Sequence, residues 1–281
     1  MKETELQNTS ETSKTEVQNL SAQDKARKHR KTAKAAISFI VMILLLVALF
    51  FAAVNIGSLK VSFPELLKGL FVEYNEDVAT IYDLRFPRIV ISMLAGAAIA
   101  VSGVLFQAVL KNPLADPGII GISSGASFAA VLITAFAPTL FFFTPLFAFL
   151  GGVIAFVLVY SLSWKGGLSP LRIILVGVAV NAMRIVISLI AVLLASISTA
   201  VAGVISFLGL IVPHIGRILV GSDHKALVPF SALFGAFTFL LADTIGRTIA
   251  APYEVSASII MSVVGGPFFI ILLRRSKKYA K

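Results

Sequence analysis

Apolar runs of about twenty residues recur along this chain, separated by short stretches that carry Pro, Gly and charge, and this spacing predicts membrane-crossing helices. The runs lie near 35–54, 89–110, 118–137, 140–162, 171–203, 205–220, 226–249 and 255–273, about eight crossings. Within the second run, Gly96, Ala100 and Gly103 are spaced so that another helix can approach closely. The first run is too long for a signal-peptide core and lies too far from the start, so it is expected to stay in the bilayer. The predicted fold class is all-α, a polytopic membrane helix bundle spanning 35–281.

Composition agrees with the pattern. The 281 residues are 58% hydrophobic and 14% charged, with a mean hydropathy of +0.95, so their apolar surface needs lipid as solvent. Residues 1–34 are rich in Glu, Thr, Ser, Gln and Lys and read as a disordered basic cytoplasmic tail. The net charge of +10 sits mainly at the two ends, in Lys25, Arg27, Lys28, Arg30, Lys31 and Lys34 and in Arg274, Arg275, Lys277, Lys278 and Lys281. Lys111, Lys165, Arg172 and Lys225 fall in loops on the same side, which the positive-inside rule makes the cytoplasm. An even number of crossings then places both termini inside a cell membrane. Aromatic interleaving is lacking among the basic residues, so nucleic acid is not an expected partner.

The chain is expected not to be an enzyme. It contains no phosphate-binding G-x-x-x-x-G-K-[ST] loop, no H-E-x-x-H and no G-x-S-x-G, and its lack of cysteine excludes thiolate chemistry. No cofactor and no metal site are expected. Gly121, Ser123, Ser124 and Gly125, after Pro113 and Pro117, predict a turn or half-helix, and Pro213 is expected to interrupt the run from Phe207 to Val220. Such positions are pathway or hinge candidates, because broken backbone at membrane depth is tolerated only in packed protein or along a water-filled cavity. His214 stands without clustered partners and reads as packing. Asp243 precedes Arg247 by four residues, the spacing of a structural pair on one helix face. Arg85, Arg88 and Arg247 are basic residues at the predicted outer ends of spans, where snorkelling and partner docking both remain open readings.

Three motifs resemble a known family. LRFPR followed by GAAIAVSGVLFQAVLKNPLADPGIIGISSGA, then GVISFLGLIVPHIGR and LADTIGR, are similar to the FecCD-type permeases of ABC importers for iron-siderophores, haem and cobalamin. The resemblance covers most of the chain from the first span onward. It implies a permease working with cytoplasmic ATPase subunits, an extracytoplasmic substrate-binding protein and a second permease, within membrane lipid. It also implies that Arg85, Arg88 and Arg247 face carboxylates on the binding protein, and that iron-siderophore is the first cargo to expect.

The resemblance has a break at Met183/Arg184. PLRIILVGVAVNAM is similar to the start of the family's fifth span, and RIVISLIAVLLASISTAVAGVISFLGLIVPH to its seventh span and the segment after it. Two spans and the loop that seats the ATPase are absent between them. Since both joined spans run from inside to outside, the join preserves topology. Two other classes stay open: an ATP-independent secondary carrier, for which Asp243 is the one marginal coupling carboxylate, and a non-transporting deletion product.

Overall fold

The computed structural model describes residues 30–56, 68, 83, 85–118, 120–163, 173–250 and 253–278, with the backbone alone for 159–163, 173–185, 273 and 275–278. Among them are eight α-helices and no strand. They are α1 (Arg30–Asn55), α2 (Phe86–Val109), α3 (Ile122–Phe136), α4 (Thr144–Ser163), α5 (Ile173–Ala202), α6 (Leu208–Val220), α7 (His224–Ile249) and α8 (Ala257–Lys278). A 3₁₀ turn, Pro138–Phe143, joins α3 to α4. The stretches Arg30–Asn55, Phe86–Val109, Pro138–Leu158 and His224–Ile249 are each long and apolar enough to cross a membrane. Large apolar side chains such as Leu44, Leu94, Phe128, Phe142 and Val263 are exposed, while small and hydroxyl-bearing residues are buried between helices. Large residues such as Phe106, Phe230 and Ile99 are buried as well, and lipid tolerates the exposed ones because apolar surface costs nothing there while tight packing holds the helices together.

Residues 30–34, which the sequence assigns to the tail, lie in α1. Lys34 in its first turns has a partner within the bundle: its Nζ donates to the Ile218 carbonyl in the last turn of α6, 3.1 Å away. One end of the bundle thus gathers the starts of α1 and α7 and the end of α6. The opposite end gathers the close of α1, the start of α2 and the close of α7.

Helix α2 is the hub, packing on α7, α5 and α6. Its small residues decide this. A Cβ at Gly96 would lie 2.3 Å from the Gly235 carbonyl of α7, and one at Gly103 would lie 2.0 Å from the Gly209 carbonyl of α6. Neither position can carry a side chain without moving a helix backbone. Ser102 Oγ donates to the Ala191 carbonyl at 2.7 Å, tying α2 to α5.

Two irregular segments meet against this hub. After α2, Asn112 Oδ1 accepts from the Leu114 N–H and Asp116 Oδ1 from the Gly118 N–H, folding the connection into consecutive turns that end at Gly121 with φ +86°. After α5, residues 203–207 run to α6, with Phe207 at φ +65°. A Cβ at Gly118 would lie 3.6 Å from the Ile205 carbonyl, so the two segments pack directly on each other.

Pro213 does not interrupt its helix as expected, since α6 runs unbroken from Leu208 to Val220. The proline removes the N–H that would bond the Gly209 carbonyl four residues back. Gln107 supplies the replacement: its buried Nε2 donates to the carbonyls of Gly209 and Ala115, at 3.2 Å each. Gln107→Leu should therefore destabilise the bundle by about 1–3 kcal/mol for a carbonyl left bare. Adding Pro213→Ala should recover part of that loss by restoring an N–H opposite Gly209. Unfolding in mixed micelles checks both, and an equal loss with and without Pro213→Ala would show that the Gly209 carbonyl is not what Gln107 satisfies.

Candidate functional site

The end of the bundle where α2 begins and α7 closes carries an ion network. Pro87 occupies the first turn of α2, where its missing N–H costs nothing, and places Arg85 and Arg88 at the helix start. Arg85 Nη1 donates to the Val54 carbonyl at the end of α1, 3.0 Å away. Arg88 reaches across to α7. Its Nε and Nη2 both donate to Asp243 Oδ1, at 3.1 and 3.0 Å, and its Nη1 donates to Glu254 Oε2 at 2.6 Å.

Asp243 lies between two guanidinium groups. Its other oxygen, Oδ2, is 3.1 Å from Arg247 Nε, one turn further along α7, an ion contact whose angles fall short of a hydrogen bond. The Asp243 side chain is 8% exposed and that of Arg247 10%, whereas Arg88 is 38% and Glu254 54% exposed. The pair on α7 is buried, and the pair made by Arg88 and Glu254 faces outward. Arg247 also reaches Thr244 Oγ1 at 3.5 Å.

Glu254 is held by the turn between α7 and α8. The Val255 N–H donates to the Gly246 carbonyl at 2.9 Å, and a Cβ at Gly246 would lie 2.1 Å from the Val255 carbonyl, so glycine lets the turn fold back onto α7. Beside it opens a cavity of about 480 Å³ bordered by Arg88, Ser92, Asp243, Glu254, Ser256 and apolar residues from the end of α5. The mouth therefore presents one partly exposed cation next to two carboxylates.

The other sequence candidates lie elsewhere. Gly121 caps α3, Ser123 is buried and Ser124 is exposed. A Cβ at Gly125 would lie 2.6 Å from the Gly151 carbonyl, where α3 crosses α4. Pro213 is buried in α6, and none of the five borders the cavity. The ring of His214 meets Phe268 edge-on at 5.7 Å. Among the described residues no three His, Asp or Glu side chains group as a metal site. Lys165, Arg172 and the tail 1–29 lie outside the described residues, as do the side chains of Met183 and Arg184.

Sequence reasoning missed Glu254 and the bond from Arg88 to Asp243. The available signal was an isolated carboxylate in APYEVSAS, close to an outer arginine.

Comparisons with known proteins agree on the class. The proteins named "Probable heme-iron transport system permease protein IsdF" of Staphylococcus aureus strains MSSA476 and Newman are each 33% identical over 314 positions, covering 87% of this chain and 98% of the relative. A solved chain described as an inward-facing conformation of a metal-chelate type ABC transporter has the same fold, with a TM-score of 0.67 at 24% identity, over 85% of this chain and 99% of that one. The FecCD transport family matches residues 44–184 and again 178–275. By that match over most of its length, and by the helix bundle it forms, the chain belongs to the FecCD transport family.

Proposed function

We propose that the chain is the membrane-spanning permease subunit of a binding-protein-dependent ABC importer for an iron chelate. The observation that carries this reading is the 33% identity to haem-iron permeases across 98% of their length. Those names favour haem as cargo over the iron-siderophore implied by family resemblance alone. Substrate arrives on an extracytoplasmic binding protein, enters between two permease subunits, and leaves inside when cytoplasmic ATPases close.

The bundle end bearing Arg85, Arg88 and Arg247 is the outer, docking end, and the end where Lys34 meets Ile218 is cytoplasmic. Supporting this is the placement of the basic residues: Lys34 and Lys225 lie at one end, and the arginine and carboxylate network at the other. Arg88 and Arg85 carry the outward contact. Arg247, almost fully covered by Asp243 and its neighbours, acts by holding the network in place.

The chain lacks an internal segment at the 183/184 join. An alignment of 314 positions that uses 87% of 281 residues, about 244, leaves about 70 positions without a counterpart here. The two family matches also overlap at 178–184, next to that join. Two crossings need about 40 residues, and the remainder is enough for a loop that seats an ATPase.

The docking test uses the permease with the segment restored. Arg85→Glu and Arg88→Glu together should slow association of the haem-loaded binding protein about tenfold at low salt and much less at high salt, since steering between exposed charges is screened over about 10 Å at 0.1 M. Unchanged association rates would leave the two arginines as anchors only. Haem-dependent and siderophore-dependent ATPase stimulation, compared in the same preparation, separates the two cargoes.

A further inference from the structure

We infer that Glu254 is a built-in competitor for the docking arginine, holding Arg88 until a carboxylate on the incoming binding protein displaces it. The inference rests on the docking role proposed for Arg88 and adds a residue to it. Arg88 has two faces in use. Its Nε/Nη2 edge is fixed on Asp243, which is buried and anchored in turn by Arg247. Its remaining outward nitrogen, Nη1, is taken by Glu254 at 2.6 Å.

The two carboxylates differ in what it costs to move them. Asp243 is 8% exposed in the body of α7, so withdrawing it would strand buried charge. Glu254 is 54% exposed on the connecting turn, where water can solvate it once released. An arriving carboxylate therefore exchanges for Glu254 and leaves the bond to Asp243 intact. The cavity at the Arg88–Glu254 pair leaves room for the displaced side chain. The partner that fits is an acidic, solvent-facing protein surface that places one carboxylate over Arg88. The device favours partners offering several well-placed carboxylates, because a single one must first overcome an equivalent internal contact.

The test uses the full chain in zwitterionic lipid nanodiscs, titrated at low salt with a fluorescent octaglutamate peptide followed by anisotropy. Glu254→Gln should tighten binding about two- to fivefold, the worth of one exposed ion pair. Asp83→Asn removes the same charge from an exposed site two residues before Arg85 and should not reproduce the gain. The gain should vanish in Glu254→Gln/Arg88→Gln, and shrink in Glu254→Gln/Arg88→Lys, which keeps a cation opposite Asp243 but loses the fork that holds two carboxylates at once. No tightening in Glu254→Gln, or an equal one in Asp83→Asn, overturns the competition. If Glu254→Gln and Glu254→Gln/Arg88→Gln bind alike, Arg88 is not a docking group and its docking role falls as well. Dependence on Arg88 without any effect of Glu254 would sink the competition alone.

Discussion

Expressed with a cognate ATPase and binding protein, the 281-residue chain should reach the membrane, bring down no ATPase on purification, and carry no haem above the background of a permease-free strain. Insertion is expected because the segments before and after residues 183/184 run in one direction within a single helix. Helix α5 passes through the join as a continuous element, Ile173–Ala202, whose 30 residues span about 45 Å at 1.5 Å each, more than the roughly 30 Å hydrocarbon core. Under the segment loss proposed at 183/184, coupling is what fails. A stable protein contact needs about 800 Å² on each partner, and the connections from α2 to α3 and from α6 to α7, which the proposed topology puts on the cytoplasmic side, are short, with the first folded against α6. An ATPase without a differential contact cannot bias the pathway between its states. Proteoliposomes settle this: a version with about 70 residues restored from a relative should show ATP-dependent haem uptake, and the 281-residue chain none. Uptake by the shorter form at more than a few per cent of the restored one would mean that the short connections seat the ATPase.

How far the sequence led can be traced element by element. The helices were legible because lipid leaves no alternative to long apolar runs: 89–110 became Phe86–Val109, 226–249 became His224–Ile249, and 171–203 became Ile173–Ala202. Helix ends were less legible. The hydrophobic count stops at the hydrocarbon edge, but α1 continues back to Arg30, with the Lys34 ammonium reaching a helix carbonyl. Pro213 misled for a related reason, since a proline predicts a lost hydrogen bond but not the Gln107 side chain, 106 positions earlier, that replaces it. The candidate site divides in the same way. The four-residue step from Asp243 to Arg247 is a local property of a helix, whereas Arg88 meets Asp243 across 155 positions and Glu254 across 166, through the crossing of α2 and α7 at Gly96 and Gly235. Spacing along one chain carries no information about such contacts.

Asp243→Asn should be the most damaging single change in the ion network. The carboxylate accepts from Arg88 through one oxygen and touches Arg247 through the other, so its loss leaves two guanidinium groups facing a neutral amide, with the exposed Glu254 as the remaining acid. Breaking a buried pair costs about 3–5 kcal/mol, mostly because the abandoned charge stays buried. Arg88, 38% exposed, can turn to water, while Arg247, 10% exposed, cannot, so about 3 kcal/mol is expected, nearly all of it from Arg247. That assignment has its own check. In Asp243→Asn/Arg247→Gln the stranded cation is gone and an amide pair of similar shape remains, so most of the stability should return, although each single change destabilises. Unfolding of all four forms in mixed micelles gives the coupling directly. A double variant no more stable than Asp243→Asn would place the loss at Arg88 and the start of α2, and a change below about 0.5 kcal/mol in Asp243→Asn would show that water, not the carboxylate, already balances both arginines.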